Sequence, residues 1–154
     1  MIDKIPDHNA LECAVLDYFN ACNSRDESGI RNVFDKDVVN YLPGGMFGPV
    51  HGVEPLIELW KSEGEQINSH WHIETVFGDP ERKTAVAEWT AMKPGRNKMY
   101  RGVDWFTFND EGKITEVRGY YAAPRDDSLG SNELGGFPYA ERGWTMPEFP
   151  ITYE

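Results

Sequence analysis

The sequence predicts a single α+β domain in which two or three amphipathic helices cover one face of a mostly antiparallel sheet. Two observations carry this. Apolar residues recur at helical spacing through the first third of the chain, and four strand-like runs, each but the last closed by turn residues, follow between His70 and Tyr121. A third observation is permissive: 154 residues, 40% hydrophobic and 13% aromatic, suffice for one core. No internal repeat or low-complexity tract interrupts the pattern.

The first helix is expected over roughly Asp7 to Asn23, where Leu11, Ala14, Val15, Tyr18 and Cys22 form one apolar stripe. Asn23-Ser24-Arg25-Asp26 breaks it, and a short second helix carries Ile30, Val33 and Phe34. Val38 to Leu42 reads as a brief strand stopped by Pro43-Gly44-Gly45. A Gly- and Pro-rich loop to Gly52 leads into a third helix with Pro55 in its first turn, where a missing N–H costs nothing. Leu56, Ile57 and Trp60 give that helix its buried face, and the polar stretch Ser62 to Asn68 ends it. Strands then run from His70 to Phe77, Thr84 to Lys93, Met99 to Phe108 and Lys113 to Tyr121. The short connections between them form an antiparallel meander.

Residues 1–123 are therefore expected to make the domain. Residues 124–154 hold too many Gly and Pro residues for a regular element, yet Leu134, Phe137, Tyr139, Trp144 and Phe149 are too apolar for a solvated tail. An ordered, irregular arm packed on the same or a neighbouring subunit is expected.

Composition excludes several function classes. A net charge of −11 argues against a nucleic-acid surface, which needs clustered Lys and Arg. Met1 to Asn9 carries charges and a proline, so no secretory signal is expected, and no run is apolar enough for a membrane span. Cys13 and Cys22 on one helix would stand roughly 13 Å apart, too far for a disulfide. Unpaired thiols without a signal lead to the expectation of a cytoplasmic protein. Gly44-Gly45 and Gly135-Gly136 lack phosphate-loop spacing, and no cofactor is inferred.

Three segments carry a resemblance to a known superfamily. They are Tyr18-Phe19-Asn20-Ala21-Cys22-Asn23-Ser24-Arg25-Asp26 with Phe34 downstream, His51-Gly52 opening the third helix, and Gly102 to Ile114 ending one strand and starting the next. With the element order, these make residues 8 to 123 resemble the nuclear-transport-factor-2-like, or SnoaL-like, cone fold. That superfamily includes ketosteroid isomerases, polyketide cyclases, scytalone-type dehydratases and limonene epoxide hydrolases. The resemblance implies a cone-shaped domain with a pocket for a hydrophobic, oxygenated small molecule. It also implies a homodimer formed through the outer sheet face, where Glu88 and Trp105 should lie.

Within that frame, alternation puts Tyr100, Gly102, Asp104, Phe106 and Phe108 on one face, and its aromatic character turns it inward. Asp104 is then a carboxyl among rings, and burial raises an acid's pKa. The resemblance makes Asp104 similar to the oxyanion-hole aspartate of the isomerases and Tyr18 similar to their tyrosine donor. Where those isomerases carry a catalytic carboxylate this chain has Leu42 and Pro43, and where hydrolases and cyclases carry an acid it has Gly119. The resemblance places the face shared by His70 and His72 inside the pocket, where His72 (or His70) would remove a proton next to a carbonyl while Tyr18 and Asp104 polarise its oxygen. A second option pairs the histidine with Asp104. Some dehydratases put their aspartate where Asn23 stands here. Each residue has a plainer reading: packing for the histidines, a structural acid for Asp104, and a core ring for Tyr18. A metal at His70 and His72 would need a third ligand that the chain does not offer, so none is expected.

Trp60, Trp89, Tyr41, Phe47, Tyr100, Phe106 and Tyr120 are expected to shape the cavity. Trp89 shares its face with Ala85, Ala87 and Ala91, so it either leaves room for a ligand or fills that room itself. The activity implied is a cofactor-independent lyase or isomerase of dehydratase or cyclase type. The alternative is a binding module of the same fold.

Overall fold

A computed structural model describes residues 7–43, 48–121, 135–138 and 140–142. Among these, three α-helices pack on one six-stranded sheet. The helices are α1 (Ala10–Ser24), α2 (Glu27–Val33) and α3 (Val53–Ile67). The strands are β1 (Phe34–Tyr41), β2 (Val50–His51), β3 (His70–Asp79), β4 (Thr84–Lys93), β5 (Lys98–Phe108) and β6 (Ile114–Tyr120). Their order across the sheet is β2-β1-β6-β5-β4-β3, antiparallel except where β1 runs parallel to β6. This is the cone-shaped α+β architecture.

The helix–sheet register is set by side chains that act as backbone partners. Asn9 caps α1 by accepting from the Leu11 and Glu12 amides, and Glu12 accepts in turn from the Asn9 amide. The same two side chains clasp β3: Asn9 donates to the Gly78 carbonyl at 2.9 Å, and Glu12 accepts from the Gly78 amide at 3.0 Å. A Cβ at residue 78 would stand 2.9 Å from Asn9 Oδ1, so glycine is required for that approach. At the other end, the Asn23 amide donates to the Trp71 carbonyl at 2.7 Å and accepts from its N–H at 2.8 Å. Arg25 turns the chain in the left-handed region (φ 61°), and its guanidinium binds the carbonyls of Cys22 and Ser69.

The core fills the space between α1, α3 and the concave sheet face. Val15, Val38, Leu56, Ile57, Phe106 and Ile114 are buried at its centre. On β4 the inward set is Ala85, Ala87, Trp89 and Ala91, and on β5 it is Tyr100, Gly102, Asp104, Phe106 and Phe108. On β3, Trp71 and Ile73 pack inward, then a bulge at Glu74 shifts the phase so that Val76 follows them and Phe77 points out.

Three elements differ from the sequence reading. β1 begins at Phe34, which that reading gave to the second helix, and ends at Tyr41. α3 continues through the polar run to Ile67, because Glu63 and Gly64 face the sheet side and Arg25 instead of solvent. The loop before α3 contains the short strand β2, which pairs with Val39 and Asn40. Within the arm, Gly135 donates its N–H to the Leu42 carbonyl, and Phe137 packs against Tyr41 with ring centroids 5.0 Å apart. Arg142 lies 4.3 Å from the Phe137 centroid and bonds Glu116 at 2.8 Å. The described part of the arm thus lies on its own β1 and β6.

Candidate functional site

Asp104 and Tyr18 come together in the interior, one from β5 and one from α1. Asp104 is only half-buried by accessible surface, yet protein surrounds its carboxyl closely, and that surrounding controls its titration. Burial pushes its pKa up to about 7, while the Trp89 indole N–H directed at it pulls the other way. That N–H is buried and closes no hydrogen bond of ordinary geometry. Among the described residues, the other carboxyls with displaced pKa values, Glu12, Glu54, Glu74 and Asp110, are held low.

Tyr18 is 2% exposed, and its pKa is well raised by burial first and by Cys22 and Asp104 next. It therefore keeps its proton at neutral pH. The Trp60 indole faces its oxygen and works against the rise, again without closing a regular hydrogen bond. Cys22 is buried and its thiol pKa is raised by burial, so it is no nucleophile.

Two glycines let the Trp89 ring and the Asp104 carboxyl pack closely at this corner. The Trp89 ring lies across Gly102, its cross-strand partner; a Cβ there would be 2.6 Å from the ring. A Cβ at Gly119 would be 3.2 Å from Asp104 Oδ1. Tyr121 completes the wall, its ring 5.3 Å from that of Trp89. On the helix side a cleft of about 180 Å³ opens between α1, α2 and α3, and its floor includes Cys22 and Trp60, the residues that flank Tyr18.

The remaining expected site residues are distributed differently. His70 and His72 are exposed on the outer face, and the resemblance-based placement inside the pocket is corrected. The physical reason is alternation: Trp71 and Ile73 take the inward positions, so their neighbours must point out. His70 Nδ1 bonds only the Asn68 carbonyl, and His72 sits beside Thr90 and Arg101 across the ladder. Tyr120 is exposed on that same outer face, because Gly119 and Tyr121 turn inward. Phe106 is wholly buried core against Tyr18 and Phe19 and lines no open space. Tyr41 belongs to a separate small cluster with Phe137 and Val39. Trp60, Trp89 and Tyr100 do face the interior. Phe47 lies outside the described residues.

The sequence reading missed Tyr121, Lys93 and Glu63. Lys93 continues the inward alternation of β4, a signal present in the strand. Tyr121 follows from Gly119 by the same rule.

Residues 15–117 match the SnoaL-like domain family. The chain belongs to that family. Among solved structures, this SnoaL-like protein is 32% identical to a protein of unknown function with a cystatin-like fold from Methylobium petroleophilum PM1, over 94% of this chain and 96% of that one, with a TM-score of 0.83. It is similar in fold to a steroid delta-isomerase from Pseudomonas aeruginosa (17% identity, 81% and 89% covered, TM-score 0.60). A like-fold epoxide hydrolase from M. tuberculosis shares 18% identity over 76% and 86% of the two chains, with a TM-score of 0.62. No curated protein matches it. Among the described residues no group of His, Cys, Asp and Glu could hold a metal, and no helix is long and apolar enough to cross a membrane.

Proposed function

We propose that this SnoaL-like protein is a proton-transfer enzyme, an isomerase or cyclase-type catalyst acting next to a carbonyl on a hydrophobic, oxygenated small molecule. The observation that supports it is Asp104: an interior carboxyl with a pKa of about 7, in the same interior as a tyrosine whose pKa is raised well above its ordinary value. A group whose pKa matches the working pH is the efficient general acid–base. With the histidines outside, Asp104 takes the proton-abstracting role itself. Its carboxylate removes a proton from the carbon next to the carbonyl, the carbonyl oxygen becomes an enolate oxygen, and the Tyr18 hydroxyl stabilises that charge by donating to it. The same carboxyl then returns the proton to a different carbon, which makes the product an isomer.

The test does not depend on the natural substrate. Fused-ring ketones such as β-tetralone are incubated with the protein in deuterium oxide, and exchange at the carbon next to the carbonyl is followed by proton NMR. Wild type accelerates exchange, Asp104→Asn loses the acceleration by about 10²-fold or more, and Tyr18→Phe loses about 10²-fold. Ketones that bind without any acceleration would leave the protein a binding module, the reading favoured by Leu42 and Gly119 standing where the resemblance to isomerases, hydrolases and cyclases implies acids.

A further inference from the structure

The cone interior has a second polar end that the Asp104 chemistry does not use. Lys93 is the last of the inward positions on β4, and its ammonium lies 5.6 Å from the Trp71 ring centroid and 5.7 Å from that of Tyr100. Those rings come from β3 and β5, so the ammonium is held over the concave face between them. Glu63 from α3 meets it, with Nζ and Oε2 2.7 Å apart, and the wholly buried Ser69 hydroxyl donates to the same Oε2 at 2.8 Å. The two side chains keep 12% and 15% of their surface, so the pair is sheltered but reachable. Both bonds to Glu63 fall on Oε2; Oε1 takes none from the described residues.

Tyr121 connects this end with the acid. Its ring is 5.3 Å from Trp89 and 6.3 Å from Tyr100, and its hydroxyl feels the charges of both Asp104 and Glu63. A run of aromatic rings therefore joins the two polar ends.

The charge of the pair decides what it accepts. An anionic ligand would face the Glu63 carboxylate and a cationic one the Lys93 ammonium, each away from bulk water where repulsion is costly. A hydroxyl suits both: it donates to Glu63 Oε1 and accepts from Lys93 Nζ. We propose that the Lys93–Glu63 pair is the specificity-determining end of the ligand site and selects an uncharged molecule that carries a hydroxyl remote from its carbonyl. The placement of the carbonyl end rests on the reading of Asp104 as the proton-transferring group.

The experiment compares β-tetralone with analogues bearing a hydroxyl or a carboxylate on the ring remote from the carbonyl. Dissociation constants are read by tryptophan fluorescence on the full chain. Wild type is expected to bind the hydroxylated ketone about tenfold tighter than the parent and the carboxylate weakest. Glu63→Gln leaves Lys93 unpaired, and the carboxylate should then become the preferred ligand. Where Glu63→Gln loses its fold, Lys93→Met replaces it, with an amine-bearing analogue gaining instead. A wild type that binds none of the three, or a ranking unchanged in the variants while thermal stability falls, overturns the proposal and makes the pair a strut between α3 and β4. Deuterium exchange measured on the same wild type separates the two readings. A preserved ranking without deuterium exchange in wild type would remove the Asp104 mechanism and leave the Lys93–Glu63 selection standing.

Discussion

The Asp104 carboxyl, with a pKa of about 7 in the folded chain against an ordinary value of 3.8, holds a proton over a range where the unfolded chain has released it. Its folded-state value is raised, so the stability tied to that proton is full below about pH 4 and is lost as pH rises through about 7. The amount is on the order of a few kcal/mol. Asp104→Asn carries no such proton. The expected outcome is that urea-unfolding free energies of wild type and variant diverge across that window, wild type losing ground as pH increases. A difference that stays flat with pH would mean a solvated carboxyl. At this scale the sequence carries the site unevenly. The inward placement of Asp104 and Tyr18 is legible because an acid among alternating aromatics and a tyrosine on an apolar stripe leave few other positions. His70 and His72 are misplaced when resemblance is weighed above the plainer signal, the apolar Trp71 and Ile73 between and after them. Lys93 and Glu63 escape notice because a charged residue at a strand end or in a polar helical run looks like surface.

Helix α1 is fastened to β3 at both ends, by Asn9 and Glu12 on Gly78 and by Asn23 on Trp71. These clasps hold the helix that carries Tyr18, whose pKa the charge of Asp104 helps to raise, which links helix placement to the interior acid. Asn23 stands where some dehydratases place an aspartate, and here it does mechanical work that only an amide can do, since it donates and accepts at once. Asn23→Asp keeps the acceptor and replaces the donor with an oxygen facing the Trp71 carbonyl. A loss of about 1–3 kcal/mol in unfolding free energy is expected at neutral pH. Lowering the pH should return part of it, because a protonated carboxyl can donate again. A variant as stable as wild type would show that α1 is held by its apolar stripe alone. The main elements are readable from period and turn chemistry. Strand β2 is not: two residues hold no period, and only pairing with Val39 and Asn40 makes them a strand. The bulge at Glu74 is equally hidden, since it depends on the register against Trp89 and Glu88.

Across the whole molecule, the concave face is closed by helices while the convex face of the sheet is left with an apolar surface. Phe77 is 68% exposed, Trp105 40% and Tyr120 39%, and Met92 and Met99 stand at the far end of the same face. Phe77, Val86 and Trp105 form one cross-strand row, with Arg118 stacked 5.8 Å from the Trp105 ring. Between the two apolar ends, Arg101 bridges Glu74 and Glu88. A surface that is apolar at both ends and carries both charges in the middle is self-complementary under a two-fold rotation, which is what a homodimer interface requires. Isolated exposed rings are ordinary, but a contiguous row across neighbouring strands is costly to leave in water. The proposed homodimer through this face should therefore be broken by charge at its centre of apolar area. Phe77→Lys with Trp105→Glu is expected to sediment as a monomer at concentrations where wild type sediments as a dimer. Neither side chain reaches the interior, so the double variant should keep the Asp104 titration of the wild type. Wild type that sediments as a monomer, or a double variant that stays dimeric, would move the interface elsewhere. If the monomer also kept deuterium exchange, each cone would be shown to work alone.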